Sequence, residues 1–373
     1  MSSQRISRPV CILGLGLIGG SLLRDLVAAG ETAYGYNRSP DAVEEAKKEG
    51  FDVTSSLSDV LSRAQGDDAL VVVATPMGAV GAMLDAIAEF APDCGFTDVV
   101  SVKGAVLEAV RERGMAERYV GSHPMAGTAE SGWAASHEGL FRGAAWVIGF
   151  DLACGDAGSG AAGAGTAAGA GASGAGAGAA AGASGAGAAE VPASWVELWK
   201  DVATLAGVVH AEVVPARVGV HDAAVARISH MPHVLAEALA VVGDQGGALA
   251  HSLAAGSFRD ATRVAGSEPA LVRAMCETNA AAVVDVLDEV IELLNEARES
   301  LSRPEPDIAE LADAGHSARI RFKAREASGA RGGESVSPVP VSSRPVLRVR
   351  PGEGEWVQVL IQAESLGARV EVF

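Results

Sequence analysis

Between residues 9 and 150, short β-branched runs alternate with amphipathic stretches. PVCILG precedes IGGSLLRDLVAAG, TAYGYN precedes PDAVEEAKKEG, DALVVVATP precedes MGAVGAMLDAIAEFAP, and FTDVVS precedes AVLEAVRERG. This rhythm predicts a βαβα series and a parallel sheet covered on both faces. RYVGSHP and GAAWVIGFD add two strand candidates. SWVELWKDVATLAG reads as a helix in which Ser194 and Glu197 have the S-x-x-E spacing of a capping box, and GVVHAEVV reads as a strand. From Ala216 the apolar residues recur at three and four positions through long segments, and many of them are small, which suits close helix packing in a bundle or across a dimer. ASGARGGESVSPVPVSSRP has linker composition, and the closing VLRVRPGEGEWVQVLIQAESLGARVEVF predicts strand, helix and strand with no evident chemistry. The expected divisions are 1–215, 216–325, a linker at 326–345 and a small extension at 346–373.

Composition sharpens this picture at a few points. Residues 155–189 are almost wholly Ala, Gly and Ser, too poor in apolar side chains to offset the entropy of ordering, so a functionally silent surface insertion is expected there. No apolar run reaches the roughly 18 residues of a membrane helix, and the N-terminus lacks the layout of a secretion signal, so the expected location is the cytoplasm. The formal net charge of −18 argues against nucleic acid and anionic membrane as partners. Four scattered cysteines have no metal-ligand or disulfide spacing, so no metal is expected.

GLGLIGGS sits between a predicted strand and a predicted helix, with Gly14, Gly16 and Gly19 at the G-x-G-x-x-G positions and Leu15, Leu17 and Ile18 between them. In that setting the first glycine permits a tight turn, the second lets backbone approach a pyrophosphate, and the third lets helix and strand pack closely. The fold class that follows is α/β: a Rossmann-type dinucleotide-binding domain and then an all-α domain. Eighteen residues after Gly19 the usual acidic residue is absent. Asn37 cannot repel a 2′-phosphate, and Arg38 and Ser39 could bind one, so NADP is expected over NAD. Thr75 and Pro76, in ATPM, end a later strand where they would lie beside the dinucleotide.

Four further segments carry candidate chemistry: DVVSVKG (98–104), GSHPMAGT (121–128), ISHMPH (228–233) and FRDATRVAGSEP (258–269). With GLGLIGGS they resemble, in order and spacing over about residues 9–325, the prephenate/arogenate dehydrogenase family of tyrosine biosynthesis. The reaction of that family moves a hydride to nicotinamide, takes up the hydroxyl proton and releases the ring carboxylate as CO₂. The resemblance makes His123 the base, a role suited to an imidazole near neutrality. Gly121 and Gly127 allow close approach, and Pro124 stiffens the turn.

The resemblance further implies that Ser101 contacts the substrate hydroxyl, although a serine after a strand could equally cap the helix opening at Gly104. It implies that Arg263 holds a substrate carboxylate, and that His233 and Thr128 face substrate or cofactor. His221 and His230 are expected to be structural, Arg259 a surface charge, and Lys103 a solvated charge or a local cation. The substrate is prephenate or arogenate, the product 4-hydroxyphenylpyruvate or tyrosine, and the assembly a homodimer with its site in the cleft between domains. Two departures leave the side-chain preference open: Val272 stands nine positions after Arg263 where an aromatic residue is common, and Ala129, followed by Glu130, where an acid is common. The alternatives are a β-hydroxyacid-type dehydrogenase, which would rely on a lysine with a nearby asparagine, and a non-catalytic dinucleotide sensor.

Overall fold

Val10–Leu13 (β1) is wholly buried, as a strand sandwiched between helix layers must be. The computed structural model describes residues 5–127, 130–155, 191–330 and 344–373. The chain proceeds through α1 (Leu17–Ala28), β2 (Ala33–Tyr36), α2 (Pro40–Lys48), β3 (Val53–Thr54), α3 (Leu57–Asp67), β4 (Leu70–Val73), α4 (Met77–Phe90), β5 (Phe96–Asp98), α5 (Gly104–Glu112), β6 (Tyr119–Pro124) and β7 (Ala145–Ile148). After the Ala/Gly tract, nearly all of which lies outside the described residues, come α6 (Ala193–Val208) and β8 (Glu212–Pro215). Among the described residues these strands form one eight-stranded sheet, in the order β3-β2-β1-β4-β5-β6-β7-β8.

The sheet is parallel except where β6 meets β7 antiparallel, a departure from the expected all-parallel pattern. The reason is local: among the described residues, the connection from Met125 to Ala144 holds a short 3₁₀ turn and no crossover helix that would return the chain to the opposite end. β3 and α3 were not anticipated. α3 nonetheless carries its own signals, since Ser56 Oγ accepts the Asp59 N–H and Val60, Leu61 and Ala64 are buried on one face. The expected capping box at Ser194 is absent: α6 starts at Ala193 behind Pro192, no side chain caps it, and Glu197 pairs with Lys200 instead.

The helical region comprises α7 (Val218–Val225), a π turn (Ala226–His230), α8 (Met231–Gln245), α9 (Gly247–Leu253), α10 (Gly256–Thr262), a 3₁₀ turn (Arg263–Gly266), α11 (Pro269–Thr278), α12 (Ala280–Leu301) and α13 (Ala309–Ala330). The first long helical pattern is thus interrupted by the π turn just before Pro232, whose ring and missing N–H disfavour a continuous α-helical ladder. α13 runs into the segment expected to begin a linker, most of which lies outside the described residues. The tail forms the expected strand, helix and strand, β9 (Val346–Val349), α14 (Trp356–Leu366) and β10 (Arg369–Val372), with the two strands parallel. No helix among the described residues is long and apolar enough to cross a membrane.

Candidate active site

The parallel strands β1, β4, β5 and β6 end on one edge of the sheet. Ligands of open α/β sheets bind outside that edge. The glycine turn, Thr75, Ser101 and His123 all follow or close these four strands.

Each glycine of the turn has its own physical reason. Gly14 has φ +105°, and a Cβ there would lie 2.7 Å from the Ala74 carbonyl oxygen. A Cβ on Gly19 would lie 1.9 Å from the Gly14 carbonyl oxygen, so this position must be glycine for α1 to pack against the turn. Around Gly16, by contrast, the space is open, and no side chain caps the helix that starts behind it. An open backbone at an uncapped helix N-terminus fits a pyrophosphate. Leu15 and Leu17 turn their side chains into the core and Ile18 is half-buried, so these residues offer the site their backbone.

Thr75 borders Gly14, and its hydroxyl is buried with no hydrogen-bond partner among the described residues, so it has bonding capacity to offer a ligand. Pro76 stands exposed at the start of α4. At the end of β2, Asn37 donates to the Leu15 carbonyl (3.3 Å) and accepts the Ser39 N–H (3.2 Å), bracing the glycine turn. Ser39 caps α2, and Arg38 is exposed beside it.

At the far side of the same edge, His123 meets His221 from α7 with 2.9 Å between Nδ1 and Nε2. His221 Nδ1 lies 2.7 Å from Asp222 Oδ1. A carboxylate only accepts, so His221 carries its proton on Nδ1 and offers the Nε2 lone pair; His123 must then donate from Nδ1 and keep Nε2 unprotonated. Asp222 also accepts the Lys103 N–H (2.9 Å) and the Gly104 N–H (2.7 Å). Burial works to raise its pKa, but the His221 bond and the two backbone donors outweigh it and hold the carboxyl below its ordinary value. Burial, reinforced by His221, Lys103 and His230, pushes His123 well below the ordinary imidazole value. The arrangement holds a neutral imidazole with one nitrogen pinned and the other free to accept a proton.

A buried polar layer supports this group. Lys103 Nζ pairs with Asp98 and donates to the Ser122 carbonyl (2.8 Å), and Tyr119 donates to the other Asp98 oxygen (2.6 Å). Lys103 is therefore a buried structural cation, 2% exposed, and the reading of it as a solvated charge is corrected. Ser101 is half-buried beyond β5 and does not cap α5; Asp222 does that from across the chain, so the capping alternative for Ser101 falls. His230 is buried against Asn279 (3.2 Å), with its pKa pushed down by burial to about 4. Asn279 in turn donates to the Asp222 carbonyl (2.8 Å), tying α12 to the relay.

His233, on α8, is half-buried, and its Nδ1 is buried with no hydrogen-bond partner among the described residues. Arg263 stands exposed on the 3₁₀ turn that packs against α8, and it forms no ion pair among the described residues. It is thus on the element neighbouring His233 and is not bonded to the imidazole cluster. Thr128 lies outside the described residues. The sequence reading missed the His221–Asp222 pair. The adjacent His-Asp dipeptide was its only signal, and the partnership with a strand residue 98 positions away has no local trace.

The family model for the prephenate dehydrogenase nucleotide-binding domain matches residues 22–151, and that for the prephenate dehydrogenase dimerization domain matches residues 218–313. The cyclohexadienyl dehydrogenase of Zymomonas mobilis is 29% identical over 313 residues, covering 81% of this chain and 91% of that protein. A Corynebacterium glutamicum structure provisionally assigned as a prephenate dehydrogenase is 52% identical, with a TM-score of 0.84 and coverage of 99% of this chain and 100% of that one. The prephenate dehydrogenase of Aquifex aeolicus, solved with hydroxyphenyl propionate and NAD+, shares the fold at 22% identity, with a TM-score of 0.64 and coverage of 86% of this chain and 98% of that one. With both matched regions spanning more than half of the sequence and a nearly full-length relative above half identity, the chain belongs to the prephenate dehydrogenase family, oxidoreductases of tyrosine biosynthesis.

Proposed function

We propose that this chain oxidises and decarboxylates prephenate to 4-hydroxyphenylpyruvate, with NADP preferred over NAD. The observation that carries this reading is the hydrogen-bonded series Asp222–His221–His123, which leaves His123 Nε2 as a free base at the carboxyl edge of the sheet. Residues 1–215 would hold the dinucleotide through the Gly14–Gly19 turn and Thr75, and the helices of 216–325 would close over the substrate.

When bound, the nicotinamide supplies the hydride acceptor. His123 Nε2 takes the hydroxyl proton as the C–H electron pair leaves as hydride. The bond from the ring to its carboxylate then breaks, its electrons pass through the ring to the oxygen as the ring becomes aromatic, CO₂ departs, and the proton returns from His123 to that oxygen to give the phenol. The positive charge gained by His123 is met by His221 Nε2 and, one step further, by the Asp222 carboxylate. Ser101 is assigned to the substrate hydroxyl. Arg263 is assigned to a carboxylate, since guanidinium binds and orients it with two parallel donors. His233 and Thr128 complete the substrate side. Support for NADP comes from the end of β2, where Asn37 replaces an acid and exposed Arg38 stands beside the capped start of α2.

Arogenate, the aminated counterpart, is the second reading, favoured by Glu130 next to the substrate turn. A homodimer in the cytoplasm completes the proposal. One assay tests it: prephenate and arogenate are each mixed with NAD and NADP, and reduced-nicotinamide absorbance is followed. Turnover fastest with prephenate and NADP is the expected result, a clear preference for NAD or for arogenate replaces that part of the reading, and no turnover with any pair removes it.

A further inference from the structure

The C-terminal strand-helix-strand unit lies beyond both matched family regions, the second of which ends at residue 313. We propose that this unit is part of the catalytic scaffold, and that its Glu364 is a positioning residue which sets the His221–Asp222 relay through Arg217. The proposal rests on the reading of His123 as the base.

Glu364 lies on α14 with its side chain 6% exposed. Its Oε1 accepts the Arg217 backbone N–H at 2.6 Å, and its Oε2 accepts Nε at 3.0 Å and Nη2 at 2.6 Å. Arg217 is the N-cap of α7 and has no side-chain cap of its own. The next backbone N–H, that of Val218, is held at 3.1 Å by both oxygens of Asp151. Two carboxylates from separate elements therefore hold the start of the helix that carries the relay, at the end where a helix favours negative charge. The linkage continues inward, because the Arg217 carbonyl accepts the His221 N–H at 2.9 Å. One helical turn thus separates the Glu364 carboxylate from the imidazole that holds His123.

The unit is a firm anchor for such a contact. Val349, Trp356, Leu360, Ala363, Ala368 and Val370 belong to the same buried core as the main sheet. Trp356 meets Trp199 of α6 edge-on at 6.4 Å, and Arg344 pairs with Glu212 at the edge strand β8. Burial of this kind fixes α14, and α14 fixes the entry of α7.

The test uses the full chain with two variants. Glu364→Gln keeps the size and the acceptor for the Arg217 N–H but removes the charge, and Glu364→Ala removes both. Misplacement of a catalytic group by about 1 Å can cost on the order of 10²-fold, so Glu364→Ala is expected to lower kcat about 10-fold or more with the KM for dinucleotide unchanged. The acid limb of the kcat/KM profile should also move to higher pH as water reaches His123. The charged and titratable groups facing His123 are His221 of α7, Lys103 before α5 and His230 of the π turn, all intact in both variants. Glu364→Gln should fall between wild type and Glu364→Ala, and it decides the matter if the alanine variant does not fold. Folded variants with wild-type kcat and pH profile overturn the proposal, as does a loss of activity that leaves the profile in place and raises the KM for dinucleotide alike. His123→Asn is run in parallel. If it retains turnover, the base reading itself fails, whereas if it loses turnover while the Glu364 variants do not, only the positioning role fails.

Discussion

The residues at the site divide into those that face a ligand and those that make such facing possible. On the proposed function His123 belongs to the first group, and its replacement by Asn would remove the base while keeping a polar side chain. kcat is expected to fall at least about 10²-fold, with dinucleotide binding retained in a fluorescence titration. Lys103 belongs to the second group. Lys103→Met would leave Asp98 buried without its cation, and loss of one partner from such a pair costs about 3–5 kcal/mol, to be read from denaturant unfolding. His230 makes a prediction about pH. An unfolded chain protonates this imidazole below its ordinary value of 6.5, but the folded one resists until about 4. Below 6.5 the unfolded state thus binds more protons, so stability falls as pH drops through that window and rises again with pH. His123, also depressed, adds to the same slope. Melting temperature measured against pH checks this, and His230→Gln should flatten the slope below 6.5.

At the scale of elements, the glycine turn yields a contrast between neighbouring positions. Gly16 has open space around it and φ −85°, a conformation that alanine adopts, so Gly16→Ala should fold with unchanged Tm. Its methyl would nonetheless occupy the place a pyrophosphate approaches, raising the KM for dinucleotide. Gly19→Ala instead drives Cβ into the Gly14 carbonyl and should lower Tm itself. Thermal melts together with dinucleotide KM values separate the two effects, and a lowered Tm in Gly16→Ala would contradict the assignment of the open face. The steric demands at Gly14 and Gly19 were legible in the sequence because the G-x-G-x-x-G pattern encodes local geometry. So were β1, β2, β4 and the tail, where alternation of apolar runs and helical periods reports burial directly. What was not legible depended on distant partners. Periodicity could not show that α7 ends in a π turn before Pro232, or that a long pattern breaks at Asn279, whose side chain leaves the helix face to bond Asp222 and His230. Nor could it show Asp222 capping α5 from across the chain, at the place where Ser101 was the local candidate.

At the scale of the whole molecule, the two halves of the chain differ in how completely they bury themselves. The sheet is covered by two large apolar clusters, whereas the buried cluster of the helical region consists of Ala226, Met231, Val283 and Val286. Leu239 and Val242 of α8, Leu249 and Leu253 of α9, and Leu294 of α12 are each more than two-fifths exposed. Apolar faces of that extent on a folded chain mark an association surface, and the matched family region is described as a dimerization domain. A second copy of the helical region is the expected cover, because its identical faces offer the same apolar side chains in a closed twofold contact. In sedimentation equilibrium the wild type should run at about twice the 37.6 kDa chain mass. Leu294→Glu would place a carboxylate on that apolar face, where burying an unpaired charge against a second copy costs several kcal/mol. This variant should sediment at the single-chain mass and melt at lower temperature, while still binding dinucleotide, since the glycine turn lies on the separately buried sheet. A wild type that sediments at the single-chain mass across the micromolar range would instead mean that the helical faces remain wet, and that contacts within one chain hold α7 and its imidazole in place, among them Glu364 and Asp151 at its start and the Asp222 bonds to Lys103 and Gly104.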